Sequence, residues 1–303
     1  LELSSAASDV YKRQSYNSAT LTVEKADQTI TFGSLADKTY GDIPFAVSAS
    51  ATSGLSVDFF ASGNCSVAGG SVTITGAGSC TITASQPGNG NYEAAPDVDQ
   101  TFAVNKAVLT ISPDNQSITL GAPDPSFTFA YSGFVNGENS GVIDTAPTCD
   151  FSGPHSAAGI YSITCSGGAD NNYSFNYETA TFSVLYNFIG FLSPFDNLPA
   201  INTAKAGQSV PFKWQLPDGQ GGFIGDLSVV TAIQYTLVAC DSGSIPENPV
   251  DADTSGNSGL TYDVADQQFK FVWKTPKSLK GQCANFYVGL NDGSVHTATF
   301  SFK

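Results

Sequence analysis

Apolar and polar residues alternate along much of this chain with a period of two, the spacing of a strand that buries one face. Ser71-Val72-Thr73-Ile74-Thr75 is one such run, and it resumes as Cys80-Thr81-Ile82-Thr83-Ala84 after Gly76-Ala77-Gly78. Two alternating runs around glycines predict an antiparallel hairpin. Phe127-Thr128-Phe129-Ala130-Tyr131 and Tyr161-Ser162-Ile163-Thr164-Cys165 alternate in the same way. Further on, Phe212 and Trp214 flank Lys213, which predicts a strand with its rings inward and its lysine outward. Phe269, Phe271 and Trp273 likewise point to one face, and Asp292-Gly293 marks a tight turn between two strands. No stretch shows a helical period, so the expected fold class is all-β, built of antiparallel β-sandwiches.

The pattern also repeats at long range. Thr20-Leu21-Thr22-Val23-Glu24-Lys25-Ala26 returns 81 positions later as Thr101-Phe102-Ala103-Val104-Asn105-Lys106-Ala107, and Thr181-Phe182-Ser183-Val184 follows after 80 more. Asn91-Tyr92 returns as Asn172-Tyr173. A period of this length is too long for a solenoid and fits one small sandwich per copy. The expected domains are a first repeat at 27–106, a second at 107–186 and a distinct C-terminal sandwich at 187–303. Residues 15–26 read as the remnant of a preceding copy, so the chain is expected to be a piece of a longer array. Residues 1–14, with the only Arg, resemble translated sequencing-adapter DNA, the alternative being a disordered tail.

Six cysteines could pair in 15 ways. Each repeat holds one pair, Cys65 with Cys80 and Cys149 with Cys165, and the C-terminal segment holds Cys240 and Cys283. Pairing within each copy is the economical expectation, each bridge closing a short loop between neighbouring strands with Cα atoms about 4.4–6.8 Å apart. A loop of this length adds about 3 kcal/mol in the chain-entropy model, which matters for small domains. With no Cys-x-x-Cys and only two histidines, His155 and His296, zinc and redox roles have little support. Disulfides imply an oxidising, extracellular setting.

Charge narrows the function classes. The net charge of -15 disfavours nucleic acid and anionic membrane surfaces as partners. Residues 27–186 carry 2 Lys against 14 acidic residues, whereas 187–303 carry 7 Lys against 10, which sets the last segment apart. The longest apolar run, Tyr186 to Leu192, is far short of the roughly 20 residues that span a bilayer, so no membrane span is expected.

Thr39-Tyr40-Gly41-Asp42-Ile43-Pro44-Phe45, Asn91-Tyr92 and Val104-Asn105-Lys106-Ala107 resemble the YGX-type MBG family of bacterial immunoglobulin-like repeats. The second copy departs from the pattern, with Leu120-Gly121-Ala122-Pro123 in place of Tyr-Gly, yet carries Ser132-Gly133-Phe134-Val135-Asn136-Gly137. Val210-Pro211-Phe212-Lys213-Trp214 and Phe271-Val272-Trp273-Lys274 resemble the PxKxF domain found at the end of bacterial secreted proteins. The resemblance implies tandem immunoglobulin-like sandwiches followed by a distinct C-terminal sandwich, and it implies no established chemistry.

Few residues suggest a site. Asp251, Asp253 and Asn257 partly match a calcium loop, though Tyr262 stands where such a loop has its final Glu; the plain alternative is a turn-rich loop. Calcium is the one candidate cofactor. Trp273, Lys274 and Lys277, with Lys270 and Lys280, could form a basic patch beside an aromatic, against the alternative of solvated lysines beside a strand. Catalysis would need His155 or His296 as a base, and neither lies near a nucleophile motif. The expected function is a non-enzymatic stalk or spacer of a bacterial secreted or cell-surface protein, such as an adhesin. The alternative is a C-terminal module that binds a carbohydrate or cell-wall polymer; a surface glycan or a protein ligand would be the partner.

Overall fold

The structure, a computed structural model, describes residues 22–151, 156–240, 248–254 and 259–303. Residues 1–14 and most of the segment read as a preceding copy lie outside the described residues. The chain divides into two compact units, one up to Ala107 and one from Val108 to Lys303.

The first unit is a sandwich of short strands: β1 (Ile30–Phe32), β2 (Lys38–Thr39), β3 (Phe45–Ala46), β4 (Ala49–Ala51), β5 (Asp58–Gly63), β6 (Cys65–Ala68), β7 (Ser71–Ile74), β8 (Gly78–Ser85) and β9 (Val98–Asn105). They form sheets ordered β2-β9-β8-β5 and β3-β7-β6, with β1 paired to β4. Ala26 joins this unit through a bridge to Tyr92. The alternation is as expected, since Val72, Ile74, Ile82 and Ala84 are all buried. The hairpin is not. β7 pairs with β6 and β3, while β8 pairs with β5 and β9, so Gly76-Ala77-Gly78 carries the chain from one sheet to the other. Asn64 decides this locally. Its main chain bonds Thr75 and Ser79, and its side chain reaches the carbonyl of Ala77, filling the place of a tight turn. Gly78, at φ +135°, leaves the room that this side chain occupies; a Cβ there would stand 2.3 Å from Asn64 Nδ2.

The second unit begins with another sandwich: β10 (Ala107–Pro113), β11 (Gln116–Thr119), β12 (Phe129–Ser132), β13 (Thr148–Phe151), β14 (Gly159–Ser166), β15 (Tyr173–Tyr177) and β16 (Thr179–Leu185). Its sheets are β12-β10-β15 and β11-β16-β14-β13. The larger sheet repeats the order β2-β9-β8-β5 of the first sandwich, down to a parallel first pair in each. Ile163, Phe182 and Val184 form its fully buried centre, with Phe127 and Phe151 against Phe182.

All six cysteines are paired as expected, but the bridges in the first two sandwiches are not equivalent. Cys80 on β8 opposes Phe102, and Phe182, the counterpart of Phe102, opposes Tyr161. Cys165 therefore lies four residues further along its strand than Cys80 does. Cys65 on β6 reaches Cys80 from the opposite sheet, so that bridge ties two sheets rather than neighbouring strands. Cys149 faces Cys165 directly across β13 and β14. Its Cα–Cα distance of 4.0 Å falls below the expected range because directly opposed residues of an antiparallel pair approach more closely than residues of two sheets.

The remainder of the second unit is a larger sandwich: β17 (Ile201–Ala204), β18 (Ser209–Trp214), β19 (Val230–Val238), β20 (Val250–Asp251), β21 (Thr261–Asp263), β22 (Gln268–Lys274), β23 (Cys283–Leu290) and β24 (Val295–Phe302). A sheet ordered β17-β24-β23-β19-β20 faces one ordered β18-β22-β21. Between them lie Phe212, Trp214, Phe269, Trp273, Phe286 and Phe300, with the Phe212 and Phe286 rings stacked 3.6 Å apart. Lys213 points outward and is half-buried, as the alternation predicts. Cys240, just beyond β19, is bridged to Cys283 at the start of β23.

This sandwich is joined closely to the one before it. Tyr186 enters its core, and the Tyr186 main-chain N–H donates to the carboxylate of Asp292 at 2.6 Å. At the same junction the backbones of Gly121 and Gly219 meet, both at positive φ. A Cβ on Gly121 would lie 2.8 Å from the Cα of Gly219, so glycine is needed on both sides.

Candidate functional site

Four lysines converge on one cavity of about 680 Å³ in the C-terminal sandwich: Lys205, Lys277, Lys280 and Lys303. Three separate segments supply them. Lys205 opens the turn after β17, where Gln208 N–H bonds back to the Lys205 carbonyl. Lys277 begins a 3-10 turn, Lys277–Leu279, and Lys280 caps it. Residues three apart on a 3-10 turn eclipse each other, which sets these two lysines on one side, while Leu279 between them is buried. Lys303 follows β24.

Main-chain hydrogen bonds lock these segments together. Ala206 N–H donates to the Lys303 carbonyl and Lys303 N–H to that of Ala204, at 3.1 and 2.9 Å. On the other side the Thr275 main chain and hydroxyl both donate to the Gln208 carbonyl. Gly207, at φ +80°, gives way to the Lys277 stem; a Cβ there would lie 2.9 Å from its Cγ. Among the described residues no Asp or Glu side chain forms an ion pair with these four lysines, all of which are exposed. Lys270 is the contrast: it is held by Asp263 and by Asp266, which raises its pKa, chiefly through the hydrogen bond to Asp263, and lowers that of Asp263.

The basic patch expected around Trp273 is thus divided. Trp273 is fully buried against Phe286 and Tyr235, so its ring offers no face to a ligand; this corrects the expectation of an aromatic platform. Period two explains it, since Trp273 shares its inward face with Phe269 and Phe271. Lys274 points to solvent opposite Ser209 without lining the cavity, whereas Lys277 lines it. Lys205 and Lys303 escape a sequence reading because they lie about 70 and 25 positions from Lys277. Only the parallel pairing of β17 with β24 brings them there.

Asp251 and Asp253, read as calcium ligands, are both exposed. Asp251 lies on β20 and accepts a hydrogen bond from Gln234 at 3.0 Å, and the Asp253 carbonyl accepts the Lys274 N–H. Asn257 lies outside the described residues, and among the described residues no three acidic, histidine or cysteine side chains come together as a metal set.

His155 also lies outside the described residues, but His296 has unexpected company. Its ring stacks on Phe188 at 3.8 Å, and its Nε2 lies 3.0 Å from the hydroxyl of Ser294. Ser294 Oγ donates to Asp292 Oδ1 at 2.6 Å. With its one proton on Asp292, Ser294 accepts from His296 Nε2–H. A nucleophilic serine needs the reverse wiring, with the imidazole accepting the serine proton and the carboxylate behind the imidazole. This cluster instead fastens the β23–β24 turn, whose Asp292-Gly293 position is as expected, to Tyr186. Burial lowers the His296 pKa, against a smaller opposing pull from Asp292.

The fold and the bridges define the class: an all-β, disulfide-bonded chain of sandwiches. Residues 109–183 of it match the family described as the MBG domain (YGX type). No curated protein matches the chain. Among solved structures it is similar to Dpr2 Ig1-Ig2, crystallised in complex with DIP-Theta Ig1-Ig3, at 8% identity over 90% of this chain and 99% of that one, with a TM-score of 0.25. It is also similar to SGBP-B of the Bacteroides ovatus mixed-linkage glucan utilization locus, solved with a mixed-linkage heptasaccharide, at 13% identity over 92% and 71% of the two chains, with a TM-score of 0.20. Similarities this distant carry no functional information.

Proposed function

We propose that this chain is a non-catalytic spacer segment of a bacterial secreted or cell-surface protein. The observation that carries the reading is the reuse of one sheet order, β2-β9-β8-β5 and β11-β16-β14-β13, in consecutive sandwiches whose strands are separated only by Lys106. Repetition adds reach without adding chemistry. Three disulfides support an oxidising, extracellular location. Among the described residues no helix is long and apolar enough to cross a membrane.

Single-molecule stretching of the whole chain tests the spacer. Separate unfolding events for the sandwiches are expected, and adding reductant should lengthen the event of each repeat. The gain is about 50 Å per bridge, from the 15 or 16 residues freed at roughly 3.3–3.6 Å each. A single event at low force, unchanged by reductant, would sink the reading.

The lysine-lined cavity favours a second reading, in which the C-terminal sandwich is itself a binding module for a carbohydrate or cell-wall polymer. A polymer array probed with the whole chain separates the two; no retention on any polymer leaves the spacer alone.

A further inference from the structure

The geometry points to the cavity bounded by Lys205, Lys277, Lys280 and Lys303 as a site for a linear phosphate-bearing polymer. The inference deepens the binding-module reading and rests on it. Four exposed lysines without Asp or Glu partners among the described residues line one space, in a chain whose net charge is -15. Like charges gathered without counterions repel each other, and an anion seated among them removes that penalty. The turns that carry them are held by main-chain hydrogen bonds, so little backbone ordering remains to oppose binding.

The donor type admits a phosphate. Lysine is a compact point charge that meets a tetrahedral oxyanion from any direction. The one arginine in the sequence, Arg13, is remote in sequence from all four lysines. A neutral sugar would lack a ring platform here, because Trp273 and Trp214 are wholly inside the core. Size then separates a polymer from a free ion. A space of about 680 Å³ falls within the roughly 300–1,000 Å³ of sites for multi-atom ligands and far exceeds a single phosphate. The lysine stems with Ala204 and Ala206 supply apolar walls for the units between the charges. The acidic stretch 27–186, with 14 acidic residues against 2 Lys, would repel the same polymer.

The experiment is titration of the whole chain with inorganic tripolyphosphate, orthophosphate, polygalacturonate and a neutral glucan. Tripolyphosphate should bind at least tenfold more tightly than orthophosphate and more tightly than polygalacturonate, and its binding should weaken as salt rises. Lys277→Gln with Lys280→Gln should reduce affinity at least tenfold, and Lys205→Glu should do so independently. Lys213→Gln, an outward lysine that does not line the cavity, should change it less than twofold. Unaltered thermal unfolding of the variants shows that the fold is kept. Equal binding of orthophosphate, or preference for polygalacturonate, overturns the assignment of a phosphate polymer. Salt-insensitive binding of the neutral glucan that survives the lysine substitutions overturns the site and leaves the module reading in place. No binding by any probe overturns both.

Discussion

Among the largest fully buried side chains of the described residues, only Ile82 belongs to the first sandwich, whereas Trp214, Trp273, Phe212, Phe269, Phe286, Phe300 and Phe302 fill the C-terminal one. The first sandwich packs Phe32, Phe102 and mostly small aliphatics such as Val72, Ile74, Ala84 and Val104, and ties its sheets with Cys65–Cys80. The C-terminal one has a continuous layer of rings. Aromatic burial supplies far more area per residue than small aliphatics do. The small sandwich therefore leans on a covalent tie between its sheets, and the large one on ring packing. This also explains why Trp214 and Trp273 keep indole N–H groups with no hydrogen-bond partner: their place is set by shape.

The largest effect should come from Phe286→Ala. Phe286 stacks on Phe212 and touches Phe191, Phe271 and Trp273, so about 3–5 kcal/mol should be lost in denaturant unfolding of the C-terminal sandwich. A loss under 1 kcal/mol would refute the claim that the rings carry its stability. Next, replacing Cys65 and Cys80 together by Ala should cost about 3 kcal/mol in the first sandwich. The same change at Cys149 and Cys165 should cost less than that, because β13 and β14 remain joined by their ladder. Equal losses measured by urea unfolding would show that loop length alone matters, since the loops are 15 and 16 residues.

Asp292→Asn should cost about 1.5–3 kcal/mol, because it weakens the charged acceptor of Tyr186 N–H and of the Ser294 main chain and hydroxyl. Thermal unfolding that is unchanged would mean that the junction is held by packing alone. The smallest effect should be a pH dependence from His296. Burial puts its native pKa below the unfolded value, so on acidification the unfolded chain takes up the proton first. Its stabilising contribution is complete above about pH 6.5 and is lost as pH falls through the lowered native value. His296→Gln should flatten that part of the stability profile; an unchanged profile would assign it to other groups.

The β class and the pairing of Cys65 with Cys80 and Cys149 with Cys165 are legible in the sequence. Each depends on local period or on recurrence. Alternation also places Phe212, Trp214, Phe269, Phe271 and Trp273 inward, and Asp292-Gly293 forms its turn as read. The same alternation favours solvated lysines beside a strand over a patch built on Trp273, and Trp273 is buried.

What the sequence could not supply is partnership between strands. Two alternating runs around Gly76-Ala77-Gly78 look like a hairpin whether the second strand folds back or crosses to the other sheet, and here Asn64 decides for crossing. Similar cysteine spacings hid a four-residue offset, because spacing records loop length and not the strand register. The same limit applies to the cavity. The sequence alone established an acidic β chain with 7 of its lysines beyond residue 187. Only the tertiary structure, through the pairing of β17 with β24 and the clamped turns around them, gathered Lys205, Lys277, Lys280 and Lys303. Local period determines which way a side chain faces, whereas long-range pairing determines what it faces.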